Sequence, residues 1–199
     1  MLHFASPVLN LSPEHAFIRV ARPLMAFCLA LSSHNILAVE ENWRERAENQ
    51  LITIYDKGDT ELYLPFHTHH LRYAYSREKI DKIQENPVGL GIGRGLYDSD
   101  GDWRGIYAMG FQNSHFTPLW MAGYGYKTFW HPGDGWKVGV GYTAFLMART
   151  DMRHYTPFPG ILPLASVGYK NLGIKITFLP GRRGNGNVLS LFGKSVVSG

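Results

Sequence analysis

From about residue 63 onward, apolar positions alternate with small or polar ones. Over 136–149, Val138, Val140, Tyr142, Ala144, Leu146 and Ala148 fall on one face, with Gly139 and Gly141 on the other. Over 118–130, Trp120, Ala122, Tyr124, Tyr126 and Trp130 share a face opposite Met121, Gly123, Gly125 and Phe129. A period of two places each set on one side of a sheet. Runs of this kind occur at 63–75, 88–97, 103–113, 118–130, 136–149, 162–169, 172–180 and 186–194. The links alternate as well: 97–103, 131–135 and 170–171 are turn-like, whereas 76–87 and 150–161 are longer and polar. Short turns at one end and longer loops at the other predict an all-β fold, an eight-stranded antiparallel outer-membrane β-barrel. Its strands would cross an apolar band of about 25 Å at a tilt of about 40°.

Two segments before the strands carry other patterns. Trp43, Ala47 and Leu51 recur every four residues among charges, predicting an amphipathic helix over 42–51 with one narrow apolar face. Such a helix rests on a membrane interface or on a protein surface. Further upstream, Arg19 and Arg22 precede the apolar run 24–31, followed by polar residues and Ala38. A basic flank, a short apolar core and a small residue predict a cleaved secretory signal over 1–38. A run this short does not span a bilayer. The expected organisation is therefore a signal, then one domain over 39–199 whose barrel occupies 63–194.

Composition narrows the class. The chain has 199 residues, 45% hydrophobic, 14% aromatic and 18% charged, with 22 glycines, and this argues against both a helical bundle and disorder. The net charge of +4 is spread thinly with no basic stripe, which argues against a nucleic-acid partner. The single cysteine, Cys28, lies in the leader, so a disulfide scaffold and a Cys-rich zinc site are excluded. No cofactor is implied. Gly89, Gly91, Gly93 and Gly95 line one face of the second strand, and several faces carry no charge. The interior is expected to be apolar and partly hollow, suited to a lipid or acyl chain. A soluble lipocalin-like barrel, or a structural membrane barrel packed with side chains, is the alternative.

The titratable residues offer a few candidates. His67 and His69 share a strand face, while His70 points the other way with Arg72. Imidazole titrates near neutral pH, so His70 is a candidate general base, against the plainer reading of a surface histidine. Asp98, Asp100 and Asp102 resemble the start of a calcium loop. Met109 stands where that loop requires a bidentate Glu, so the segment reads as a tight turn. Asn113 and Ser114 end the third strand on the same side as the end of the first. Pro65, Pro87, Pro163 and Pro180 fall at strand starts or ends. Each lacks an N–H, so each either leaves unpaired wall through which a lipid could pass sideways or simply terminates a strand.

Several stretches also carry a family resemblance. Leu62-Tyr63-Leu64-Pro65, His70-Leu71-Arg72-Tyr73-Ala74-Tyr75, Gly105-Ile106-Tyr107-Ala108-Met109, Ala122-Gly123-Tyr124-Gly125, Leu162-Pro163-Leu164-Ala165-Ser166-Val167-Gly168-Tyr169 and Pro180-Gly181 with Asn185-Gly186-Asn187-Val188 resemble, in order, the lipid A palmitoyltransferase (PagP) family. The likeness runs from about Trp43 to Val188. It implies an eight-stranded outer-membrane barrel preceded by a periplasmic amphipathic helix. The implied reaction moves a palmitoyl chain from the sn-1 position of a phospholipid donor to a hydroxyl on lipid A, the lipopolysaccharide acceptor. His70 and Ser114 match the family's catalytic His and Ser, and Asn113 stands where the family has Asp. Gly125 matches the glycine that sets acyl-chain length. Pro65 with Pro87, and Pro163 with Pro180, match two lateral openings for lipid. Arg104 replaces a His and Arg183 a Tyr, positions implied to act in lipid recognition and gating near the phospholipid opening. The missing carboxylate at Asn113 leaves a second reading, a catalytically weak or inert lipid-binding or structural barrel. Monomer and homodimer both stay open.

Overall fold

The computed structural model describes residues 40–113, 116–150, 155–181 and 186–197. The segment expected as a secretory signal lies outside them, as do Ser114 and Arg183. Helix α1 (Glu40–Lys57) leads into β1 (Asp59–His70), a single 3-10 turn (Arg72–Ala74) and the short α2 (Arg77–Ile80). Seven further strands follow: β2 (Gly89–Tyr97), β3 (Trp103–Gln112), β4 (Pro118–Gly133), β5 (Trp136–Arg149), β6 (Phe158–Tyr169), β7 (Leu172–Leu179) and β8 (Val188–Val197). Every neighbour is antiparallel and β8 pairs with β1, so the sheet closes on itself and has no edge.

Alternation decides what faces where. The outward set on β4 and β5 includes the exposed Trp120, Trp130, Val138, Val140 and Tyr142, and Leu90, Ile92, Ile161 and Ile174 continue it around the wall. An apolar exterior of this breadth matches hydrocarbon rather than water. Trp136 packs against Tyr169 at 5.3 Å, part of an aromatic girdle at the turn end. The hairpin there is tight because Asp134 and Gly135 both adopt positive φ, 51° and 83°, which matches the twist of the flanking strands. A second turn at this end, 98–102, is closed by the Asp98 carboxylate, which accepts from the backbone N–H of Asp100 (3.1 Å) and of Asp102 (2.9 Å).

The interior corrects one expectation. Its turn-end half is packed with charge rather than hollow: Glu61, Lys127, Lys175 and Lys194 are all buried inside. Glu61 takes an ion pair from Lys194, a second from Lys175 at 3.8 Å and a hydrogen bond from the Trp103 indole N–H at 3.0 Å. Lys175 Nζ lies 3.8 Å from the Trp103 ring centroid, and Lys127 Nζ donates to Ser166 Oγ at 3.1 Å. Each charge is thus neutralised, hydrogen-bonded or set on an aromatic face, the condition for keeping it from water. Above this plug the interior turns apolar.

Two elements run past their expected bounds. Helix α1 extends through Ile54, which is almost fully buried, and packs on the outer wall formed by β2 and β3. Gln50 donates to the Tyr124 hydroxyl at 3.1 Å, and Arg94 donates to the Tyr55 carbonyl at 2.9 Å and to Thr60 Oγ1 at 3.0 Å. The helix ends at Gly58, where an added Cβ would sit 2.5 Å from the Ile54 carbonyl oxygen. Strand β1 begins four residues earlier than its pattern indicates, because the polar Glu61 faces inward to the lysines.

The ladders are not equally long. β4 and β5 pair along nearly their whole length, but β1 and β2 pair only from Asp59↔Gly95 to Tyr63↔Gly91. Likewise β6 and β7 pair only from Tyr169↔Leu172 to Leu164↔Thr177. Both ladders stop midway, leaving the loop-end half of each seam without strand pairing.

Candidate functional site

His70 is the last residue of β1, opposite Val188 of β8. A register shift between Pro65 and His67 precedes it, so the alternation resumes with Thr68 and His70 inward and His67 and His69 outward. The ring of His70 is buried at the loop end of the barrel and is held from several directions. Its Nδ1 lies 3.3 Å from Glu85 Oε1, and its backbone N–H donates to the same oxygen at 3.1 Å. Arg72 grips the other carboxylate oxygen at 2.7 Å. Tyr75 meets the imidazole edge-on, with ring centroids 5.1 Å apart and planes at 87°. The Tyr75 hydroxyl donates to the Gly186 carbonyl, and the Leu71 N–H to that of Asn187, so the β7–β8 loop closes over the same corner.

Glu85 comes from the polar stretch between β1 and β2 and carries no periodic signal that would single it out in the sequence. Its carbonyl accepts from the Thr68 N–H at 2.7 Å, docking the loop on β1 where pairing with β2 has stopped. Burial pushes its carboxyl up, but the hydrogen bonds from the His70 N–H, Arg72 and the His70 ring outweigh this. The group is held below its usual range.

Asn113 follows β3 at the same end and is buried. Its Oδ1 accepts from the Thr117 N–H at 3.1 Å, and its backbone N–H donates to the Thr117 carbonyl at 2.9 Å, closing the β3–β4 turn. An Asp could make the same side-chain bond, so the turn does not depend on the substitution.

Below these groups runs a narrow, mainly apolar cavity lined by Tyr63, Tyr107, Met109, Met121, Phe145, Leu162, Leu164 and Phe192, which Thr143, Thr177 and Lys175 of the plug also reach. Gly125 faces it at the floor: a Cβ there would stand 2.9 Å from Trp103 Cζ3. Pro65 lies just past the last β1–β2 pair, and Pro87 just before β2. Pro163 lies just past the last β6–β7 pair, and Pro180 just after β7. Each unpaired seam is therefore flanked by two prolines. Arg104 is elsewhere. It sits on the outer wall beside the 98–102 turn, 3.2 Å from the Asp98 carboxylate and over the Tyr126 ring, at the opposite end from His70.

Comparison with known proteins places this geometry. Residues 50–194 match the family model described as "Antimicrobial peptide resistance and lipid A acylation protein PagP". A lipid A acyltransferase PagP of Methylobacillus flagellatus is 38% identical over 176 residues, covering 88% of this chain and 94% of the relative. The protein of the same name from Bordetella parapertussis is 41% identical over 172 residues, covering 85% and 94%. That of Laribacter hongkongensis is 46% identical over 145 residues, covering 73% and 70%. An eight-stranded barrel with a helix on its flank, a buried loop-end histidine and a family match across nearly all of the barrel lead to one conclusion: the chain belongs to the PagP family of lipid A acylation proteins.

Proposed function

We propose that this acyltransferase works in the outer membrane of a Gram-negative bacterium. There it moves a palmitoyl chain from the sn-1 ester of a phospholipid to a hydroxyl of lipid A. The observation that carries this reading is the buried, carboxylate-held imidazole of His70 standing over an apolar cavity whose wall is unpaired on two sides. The phospholipid acyl chain enters through one seam and lies in the cavity, with its end towards Gly125. His70 accepts the proton of the lipid A hydroxyl as that oxygen attacks the ester carbonyl. Asn113 and Ser114 donate hydrogen bonds to the ester oxygen as it becomes an oxyanion. Collapse of the tetrahedral centre expels the glycerol oxygen, which takes the proton back from His70. The products are a lysophospholipid and a lipid A bearing one more acyl chain. Segment 1–38 acts as the export signal, removed on the way.

Mass spectrometry of lipid A from cells expressing the chain tests this directly. Addition of one palmitoyl mass, lost in His70→Ala, is the expected result. No added chain from a folded, membrane-inserted barrel would instead favour the inert lipid-binding reading.

A further inference from the structure

We infer that Glu85 is the positioning carboxylate of this site, fixing His70 as the Nδ1–H tautomer and so leaving Nε2 as its proton-accepting atom. The inference rests on the role proposed above for His70.

An ionised carboxylate accepts hydrogen bonds and donates none. Oε1 of Glu85 already receives the His70 backbone N–H at 3.1 Å and stands 3.3 Å from Nδ1. Nδ1 must therefore carry its proton towards Glu85, and a neutral imidazole has only one N–H. Nε2 is then the basic nitrogen. The carboxylate cannot swing away, because Arg72 holds Oε2 at 2.7 Å and the Glu85 carbonyl is bound to the Thr68 N–H. Nor can the ring turn freely, since Tyr75 abuts it edge-on and is anchored through its hydroxyl to Gly186.

The charge that develops on His70 during transfer needs a counter-charge. Asn113 carries none, and its Oδ1 is engaged with the Thr117 N–H. Glu85 supplies the negative charge in contact with the ring. Among the described residues, the other charged groups of this corner include Arg72, which shares the Glu85 carboxylate, and Lys79, which lies over the Tyr75 ring at 5.7 Å. The residue opposite on β8, Val188, is uncharged. Removing the Glu85 charge therefore disfavours the imidazolium.

The test uses the full barrel in detergent micelles, with wild type, Glu85→Gln, Glu85→Asp, His70→Ala and the Glu85→Gln/His70→Ala double variant. Ring-nitrogen NMR of wild-type His70 should show the Nδ1–H tautomer, a readout independent of activity. In Glu85→Gln, which keeps the side-chain shape, the imidazole should titrate at lower pH. The acid limb of the pH–rate profile should move the same way, and kcat should fall about 10–100-fold with KM little changed. Glu85→Asp should recover part of the loss, and Glu85→Gln should cost nothing further in the His70→Ala background. Heat-modified gel mobility checks that every barrel is folded. An Nε2–H tautomer in wild type, an unmoved titration in Glu85→Gln, or additive losses in the double variant would each overturn the inference. Full transfer by His70→Ala would sink the role of His70 as base, while the tautomer of the ring would still be read by NMR.

Discussion

At the scale of single residues, the interior divides into a site, a cavity and a plug, and one substitution probes each. Asp at position 113 can accept the Thr117 N–H as Asn does, so Asn113→Asp should leave thermal stability unchanged and alter only the rate of transfer. No gain is expected if Glu85 already supplies the working carboxylate and Asn113 donates to the oxyanion, since an ionised Asp donates no hydrogen bond, whereas activity rising from nothing would mark the natural protein as inert. Gly125 abuts Trp103, so Gly125→Ala fills the cavity floor. The transferred chain should become shorter than palmitate, read as missing methylenes in the lipid A mass. In the plug, Glu61→Gln leaves Lys175 and Lys194 buried without their counter-ion. A loss of about 3–5 kcal/mol in urea unfolding is the expectation for breaking such a cluster from one side.

Among elements, the flanking helix and the β1–β2 loop dock on the wall through side chains that single substitutions can release. Arg94 joins the end of α1 to the wall through the Tyr55 carbonyl and Thr60. Arg94→Ala should lower stability by about 1–3 kcal/mol while leaving the strand signal of circular dichroism intact. The loop is latched by Glu85, whose carboxyl is held low in the folded state. A depressed carboxyl contributes stability above its unfolded value and loses it as pH falls through the folded one. The latch should hold at neutral pH and release only as pH falls below the ordinary glutamate range, seen as faster exchange of the Thr68 amide. Much of this scale was legible beforehand, since period-two alternation locates all eight strands. What escaped were the ends. Asp59-Thr60-Glu61 reads as loop because its inward carboxylate is satisfied only by lysines on distant strands. Ile52 and Ile54 lie outside the four-residue spacing, yet Ile54 is the helix residue buried deepest. Glu85 hides in a polar loop, where a carboxylate that anchors a histidine looks like any solvated charge.

For the molecule as a whole, closure and opening coexist. Hydrogen-bonded neighbours all round remove the edges, while two seams stop halfway up the wall. The four prolines pointed towards this before any register was known, because each removes a ladder donor. Their pairing across two particular seams, which the family resemblance implies, is matched by the register. Continuing that register sets Leu64 opposite Leu90 and Pro163 opposite Phe178. Cysteine pairs at either position, bridged by a short thiol crosslinker, should stop acyl transfer in a barrel otherwise unchanged. Transfer undiminished by both bridges would show that lipids enter from the loop end instead.

The plug carries a further consequence for the cell. With Trp103 clamped among Glu61 and three lysines, the described side chains fill the turn-end half of the barrel. The protein should therefore show no single-channel current in a planar bilayer, and cells that make it should stay as impermeable to ions and small hydrophilic drugs as cells that do not. On the proposed mechanism hydrocarbon moves through its sides, while the membrane keeps its electrical seal.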